Sequence, residues 1–373
     1  MAGLYLHIPF CARACHYCDF HFSTSTAGAD GVLAAMAEEA RLVADYLSQP
    51  IGTLYLGGGT PSVLMPGQLT GLLGGIGTHL DLTQVEEFTL EANPEHVTAG
   101  NAMAWRAAGI NRISLGVQTF DDAALRGLNR GHTGLQAEAA VKVLQRAGFE
   151  NLSVDLIFAL PGQTMAELEH DLDRMLGLGI QHVSLYCLTL EGPTVFGRRL
   201  ARGQMQAVAE DLSADMMARV WQRLEAAGFE GYEISNYALP GRASQHNSNY
   251  WHGVPYLGLG PSAHSYDGRV RSWNVRSNGG YVQAITAGRL PREHETLTPA
   301  NRHNERLMTG LRLRDGITLS ELEVLLEEPQ GAAWSNTLAR HIAGGSLAIT
   351  NGRLCVTPGG RLLADYLAGE LFV

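Results

Sequence analysis

Lysine is almost missing from this chain. Of 27 basic residues only Lys142 is a lysine, and it sits in an amphipathic stretch from Leu135 to Ala147, which argues against chemistry through a lysine Schiff base. A basic surplus is also missing. The 27 Lys and Arg face 37 Asp and Glu, a formal charge of −10, the wrong sign for a protein whose main partner is nucleic acid. No apolar run approaches the roughly eighteen residues of a membrane span, and the first residues lack the basic stretch and cleavage site of a signal peptide. A cytoplasmic protein with no integral membrane segment is therefore expected. Five cysteines, an odd number, do not suggest a disulfide framework. There is no repeat of fixed period and no low-complexity tract. What remains is 373 residues, 45% hydrophobic and 17% charged, which excludes disorder and suits one large domain with a smaller one.

Short β-rich runs recur at Leu4–Ile8, Thr53–Leu56, Glu87–Glu91, Arg112–Val117, Leu152–Phe158 and His182–Leu188. Between them lie stretches of helical period, among them Gly31–Leu47, Ala99–Ala108, Gly134–Ala147, Thr164–Leu178 and Glu210–Ala227, often closed by a glycine such as Gly109, Gly148 or Gly179. Six strand-helix units with apolar strands predict an α/β fold, a partial (β/α)6 TIM-like barrel, with a flat doubly wound sheet as runner-up. The core is expected over residues 1–237. A Gly/Pro/Asn/Ser-rich connecting segment, 238–302, carries the polar-aromatic run Gln245–Trp251. The remaining residues, 303–373, read as a C-terminal α+β domain. Helices are expected there around His303–Leu313, Leu319–Leu326 and Trp334–His341, then a hairpin and a last helix at Arg361–Leu367. Asn351-Gly352 between Leu347–Thr350 and Arg353–Val356 predicts a type I′ turn. Helices with a wing-like hairpin resemble winged-helix DNA readers. Six Arg against eight acidic residues from His303 to Val373 favour a structural or partner-binding role instead.

Cys11, Cys15 and Cys18 form C-x3-C-x2-C directly after the first strand. A structural zinc would need a fourth ligand, for which His16 or His21 could be proposed. A 4Fe-4S cluster held by three thiolates would keep one iron open, as a metal site does when it admits a cofactor. Cys187 and Cys355 lie in strand-like runs and read as packed thiols. Glu91, Gln118 and Asp155 end or interrupt successive apolar strands, where a β/α barrel meets its ligand. Each alone could be bonded to neighbouring loops, but three in succession favour a ligand with cationic and hydroxyl groups.

The cysteine motif, with Gly57-Gly58-Gly59-Thr60-Pro61 after the second strand, resembles the radical S-adenosylmethionine (SAM) family. That resemblance implies a 4Fe-4S cluster, SAM chelating its open iron, and cleavage of SAM to a 5′-deoxyadenosyl radical. Leu4–Cys11, Gly116–Phe120, Asn129-Arg130, Asp155–Gln163 and Gly258–Ala263 are similar to the branch that contains oxygen-independent coproporphyrinogen oxidase of porphyrin biosynthesis. By that resemblance Tyr5, Tyr17, Gly58, Gly59, Thr60, Glu91, Gln118, Arg130 and Asp155 contact the cluster or SAM. Arg130 could pair with the SAM carboxylate through its planar fork, while Tyr5 and Tyr17 could equally be packing aromatics. The oxidases resemble C-x3-C-x2-C-x-C with a long N-terminal extension, whereas position 20 is Phe and four residues precede Tyr5. His246-Asn247-Ser248-Asn249-Tyr250-Trp251 instead matches the H-N-x-x-Y-W signature of HemW-type heme chaperones. This implies heme as ligand, heme-acceptor proteins as unidentified partners, and His246 as the heme-ligand candidate. The other reading of His246 is an anchor for its loop; His16, His252 and His264 are weaker ligand candidates. The alternative function is a radical enzyme, either a coproporphyrinogen III decarboxylase or a methyltransferase. Composition leaves homodimerisation open.

Overall fold

A computed structural model describes residues 1–325 and 331–373. Six parallel strands run in chain order across one sheet: β1 (Ala2–Ile8), β2 (Ile51–Gly58), β3 (Glu87–Ala92), β4 (Arg112–Gln118), β5 (Leu152–Phe158) and β6 (His182–Cys187). Sequential parallel order requires a crossover after each strand, and helices supply it, for example Ala29–Leu42, Ala99–Ala107, Gly134–Arg146 and Met165–Leu176. The last two start with capping boxes, Thr133 with Gln136 and Thr164 with Glu167. The sheet is an open β/α barrel, not a closed one.

Side chains alternate along each strand. In β1, Leu4, Leu6 and Ile8 are fully buried in the apolar core. Tyr5 and His7 occupy the other face. Register carries this second, polar layer across the sheet: Tyr5 lies beside Tyr55, Glu91 beside Ser114, and Asp155 beside Ser184. Polar groups thus fill the concave side while aliphatic ones meet the helices.

The chain does not leave the sheet after residue 237. β8 (Asn236–Ala238) adds antiparallel to β6, and β7 (Glu230–Gly231) pairs antiparallel with β8 at the edge. β9 (Tyr256–Leu259) returns to pair parallel with β1, followed by antiparallel β10 (His264–Tyr266), β11 (Val270–Asn274) and β12 (Arg292–Thr296). Among the described residues the sheet has twelve strands, so the segment expected to be a connection supplies four of them. Some of its Gly and Pro residues, such as Pro240, Gly241, Gly253, Pro261 and Gly288, sit at turns between elements. Glu39 joins this extension to the first helix: it is fully buried and accepts from Tyr281 Oη (2.6 Å), Asn274 Nδ2 (2.8 Å), Gly260 N (2.9 Å) and Arg292 Nη2 (2.8 Å).

Gln245–Trp251 is a helix, not a loop. Ser244 caps it, accepting from Asn247 N.

In the last region, helix Pro299–Gly310 is followed by β13 (Ile317–Thr318), helices Leu319–Leu325 and Ala332–Ala343, then β14 (Leu347–Thr350) and β15 (Arg353–Val356); the three strands form one small sheet. Asn351 and Gly352 both take positive φ, 52° and 73°, as the type I′ turn requires. The expected helix end at Leu326 lies outside the described residues. The final helix begins at Ala364, later than expected, because Pro358–Leu363 forms a 3₁₀ segment first. This region has its own apolar cluster, built on Leu307, Leu311, Ile317, Leu347, Leu354 and Leu367.

Candidate functional site

A cavity of about 420 Å³ opens where the parallel strands end. Ligands meet a β/α barrel at that face because its loops are free to vary while the strands stay rigid. The cavity is lined by Cys11, Cys15 and Cys18, by Tyr17, Gly58, Gly59 and Thr60, and by Glu91, Gln118, Arg130 and Asp155. Of the predicted set, Tyr5 and His246 are not in its lining.

The loop after β1 is tied to the glycine run by backbone bonds: Gly59 N donates to Ile8 O (2.9 Å) and Thr60 N to Phe10 O (2.8 Å). A Cβ at Gly59 would stand 2.7 Å from Phe10 O. At Gly58 it would strike the His7 ring at 2.7 Å, and φ there is +107°. Glycine is needed here for close approach of two loops, before any cofactor is considered. Thr60 Oγ1 donates to Cys11 Sγ (3.3 Å) and Arg130 Nη1 to Cys15 Sγ (3.5 Å).

The sulfurs do not fit one ion. Zinc–sulfur bonds of about 2.3 Å in a tetrahedron would hold thiolates about 3.8 Å apart. Among the described residues no three His, Cys, Asp or Glu side chains converge closely enough for a single metal. Three thiols around one cavity fit a multi-iron cluster with an open position. Burial pushes the Cys18 thiol up to about 11 and raises Cys11 as well, so holding iron displaces their protons. All five cysteines are unpaired.

Two carboxylates stand in the cavity wall. Burial lifts Glu91 to about 7, against the stabilising bond from Tyr55 Oη (2.8 Å). Burial also raises Asp155, although Ser114 Oγ donates to it at 3.0 Å. Arg112 supplies some countercharge to both; it is 1% exposed, with no hydrogen-bond partner on any guanidinium nitrogen among the described residues. Gln118 ends β4 at φ 73°, where the β4–β5 register shifts. A non-glycine residue in that region is strained, and the strain turns the strand end into the cavity. Arg130 Nη2 donates to Gly116 O (2.6 Å) and Asn93 Oδ1 (2.7 Å).

Asn93, Ser114 and Tyr186 also line the cavity and were missed in the sequence. Asn93 directly follows β3, so the strand-end rule could have found it. Ser114 and Tyr186 sit inside strands, and only register aims them inward.

Tyr5 lies deeper in the concave layer, its ring 6.0 Å from Tyr55 and its hydroxyl 3.3 Å from His7 Nδ1. His246 is deeper still, at the N-terminal end of the strands. It is 1% exposed, with Nδ1 2.8 Å from Thr53 Oγ1 and Nε2 2.9 Å from Tyr250 Oη. Burial lowers it to about 3, so it is neutral. Both ring nitrogens are engaged, with Thr53 and Tyr250, an arrangement that suits the anchor reading of His246.

Comparison with known proteins agrees with this geometry. Residues 5–175 match the family model of the radical SAM superfamily, and residues 297–363 match that of the HemN C-terminal domain. The chain is 40% identical to the heme chaperone HemW of Lactococcus lactis over 86% of its own length and 83% of the relative's. It is 37% identical to HemW of Mycobacterium tuberculosis over 99% and 94%. Coproporphyrinogen III oxidase (HemN) of Escherichia coli has the same fold, with TM-score 0.86 over 100% of this chain and 90% of that one at 22% identity. The chain therefore belongs to the radical SAM superfamily and, within it, to the family of HemW heme chaperones.

Proposed function

We propose that this chain is a cytoplasmic heme chaperone that holds a 4Fe-4S cluster through Cys11, Cys15 and Cys18, binds SAM beside it, and passes heme to acceptor proteins. Identity to HemW chaperones across nearly the full chain carries the reading. The cavity supports its cofactor part. When bound, the cluster would supply single electrons to SAM. The chain's own residues do the positioning. Glu91, lifted to about 7 by burial, gains its countercharge from a cationic cofactor and ionises fully. Gln118 and Asp155 offer acceptors to hydroxyl groups. Arg130, held by Asn93 and Gly116, presents its remaining guanidinium edge beside Cys15. Among the described residues no helix is long and apolar enough to cross a membrane.

The intact SAM-type cavity favours one second reading, a radical enzyme acting on coproporphyrinogen III. The test is anaerobic turnover of cluster-reconstituted protein with SAM, reductant and coproporphyrinogen III, with 5′-deoxyadenosine and porphyrin products counted by mass spectrometry. The chaperone reading expects hemin binding without decarboxylation. Stoichiometric decarboxylated porphyrin would overturn it.

A further inference from the structure

A second large cavity, about 530 Å³, lies away from the cysteines. Small-molecule sites span roughly 300–1,000 Å³. Its walls are the turn after helix Gln245–Trp251, strands β9–β11, and helix Pro299–Gly310 with the start of the next.

Tyr250, Tyr256 and Tyr266 give it an aromatic side. The Tyr250 and Tyr256 rings meet edge to face at 4.7 Å. Three arginines face two glutamates: Arg271 pairs with Glu305 (2.7 Å) and Arg306 with Glu321 (3.1 Å). Arg302 makes no ion pair among the described residues, and its Nε is buried without a hydrogen-bond partner. One cation is left over. The imidazole in the lining is His252, which is exposed. Its Nδ1 stands 2.7 Å from Ser248 O. A carbonyl only accepts, so Nδ1 is the donor, and in the neutral ring the lone pair is on Nε2. A backbone carbonyl behind one ring nitrogen is how metal-binding histidines are oriented.

An aromatic wall, a surplus guanidinium and a free imidazole lone pair match the chemistry of a planar iron macrocycle bearing carboxylates. We infer that cargo heme docks in this cavity, with His252 as axial ligand and Arg302 receiving a propionate. The inference rests on the chaperone reading and gives it a site. It also assigns the H-N-x-x-Y-W helix its part. His246, bonded to Tyr250 Oη, is a positioning residue that fixes one wall, while the ligand stands one residue beyond the motif.

The test is hemin titration of the full-length, cluster-reconstituted protein, followed by Soret absorbance and resonance Raman. His252→Ala is expected to remove the histidine-ligated signature and weaken binding about tenfold. Arg302→Leu is expected to weaken hemin roughly tenfold while leaving the dimethyl ester of hemin unchanged; a merely structural arginine would move both equally. Arg302→Lys, which keeps the charge, should recover part of the loss. Circular dichroism melts matching the parent show that each variant folds. Should His252→Ala and Arg302→Leu both titrate as the parent does, the site is overturned. A histidine signature lost in His246→Ala but kept in His252→Ala overturns the ligand assignment. A parent that binds no hemin overturns the chaperone reading itself.

Discussion

The two ends of the parallel strands treat buried charge in opposite ways. At the N-terminal end Glu87, 3% exposed, accepts from Gln245 N (2.9 Å), His246 N (2.8 Å) and Ser244 Oγ (3.3 Å). That carboxylate sits at a helix N-terminus, where N–H groups lack intrahelical partners and the dipole favours an anion. His246 then has a partner on each ring nitrogen. At the C-terminal end Glu91 and Asp155 are pushed up by burial, Gln118 is strained, and two of the cluster loop's thiols are raised. Groups whose needs are met inside the chain hold the fold together, whereas groups left wanting a cation or a metal mark the cavity.

This contrast can be broken most decisively at the thiols. Cys15→Ser is expected to lose essentially all iron and sulfide after anaerobic reconstitution, with the circular dichroism spectrum unchanged. Full iron and sulfide in that variant would show that the cavity is not the cluster's. Next in size is Glu87→Ala, which strands the N–H groups of Gln245 and His246. A loss of about 3 kcal/mol in urea unfolding is expected, with iron content retained in the folded fraction. Equal stability to the parent would deny the N-terminal network its holding role.

Glu91 sharpens the comparison through pH. With its pKa raised from 4.5 to about 7, the folded protein binds more protons than the unfolded chain between those values. Its stabilising contribution is therefore present below pH 4.5 and lost as pH rises through 7. A cationic ligand reverses the preference. SAM affinity is thus expected to rise from pH 6 to pH 8, and Glu91→Gln should flatten that profile and weaken binding about tenfold at pH 8. Equilibrium dialysis checks both, and an unaltered slope would remove Glu91 from SAM recognition. The smallest effect is expected at Ser244→Ala, which removes a helix cap for about 1 kcal/mol; a thermal melt measures it, and no shift would mean that Glu87 alone suffices.

Much of the cavity was legible because its residues obey local rules. The cysteine spacing, the glycine run and polar residues at strand ends stand in contiguous sequence, and strand alternation aims them together. The surroundings of His246 were harder to read for the opposite reason. Thr53, which meets its Nδ1, is 193 residues away, and Glu87, which holds its backbone N–H, is 159 residues away; only Tyr250, at Nε2, lies within the motif itself. The polar composition of Gln245–Trp251 suggests a loop, because its helix depends on the distant Glu87 for its first N–H groups. β9 was hidden likewise: Tyr256–Leu259 is four residues, and only the open edge of β1 makes them a strand.

Determined by the sequence alone were the six strand-helix units, the Asn351-Gly352 hairpin and the three thiols. Hydrophobic period, turn chemistry and ligand spacing act within a few residues. The tertiary structure alone decided that residues 238–302 extend the same sheet, that His246 faces Thr53 and Tyr250, and that His252 shares a cavity with Arg302. Such pairings depend on which buried donors find acceptors across the fold, a condition satisfied between elements far apart in the chain.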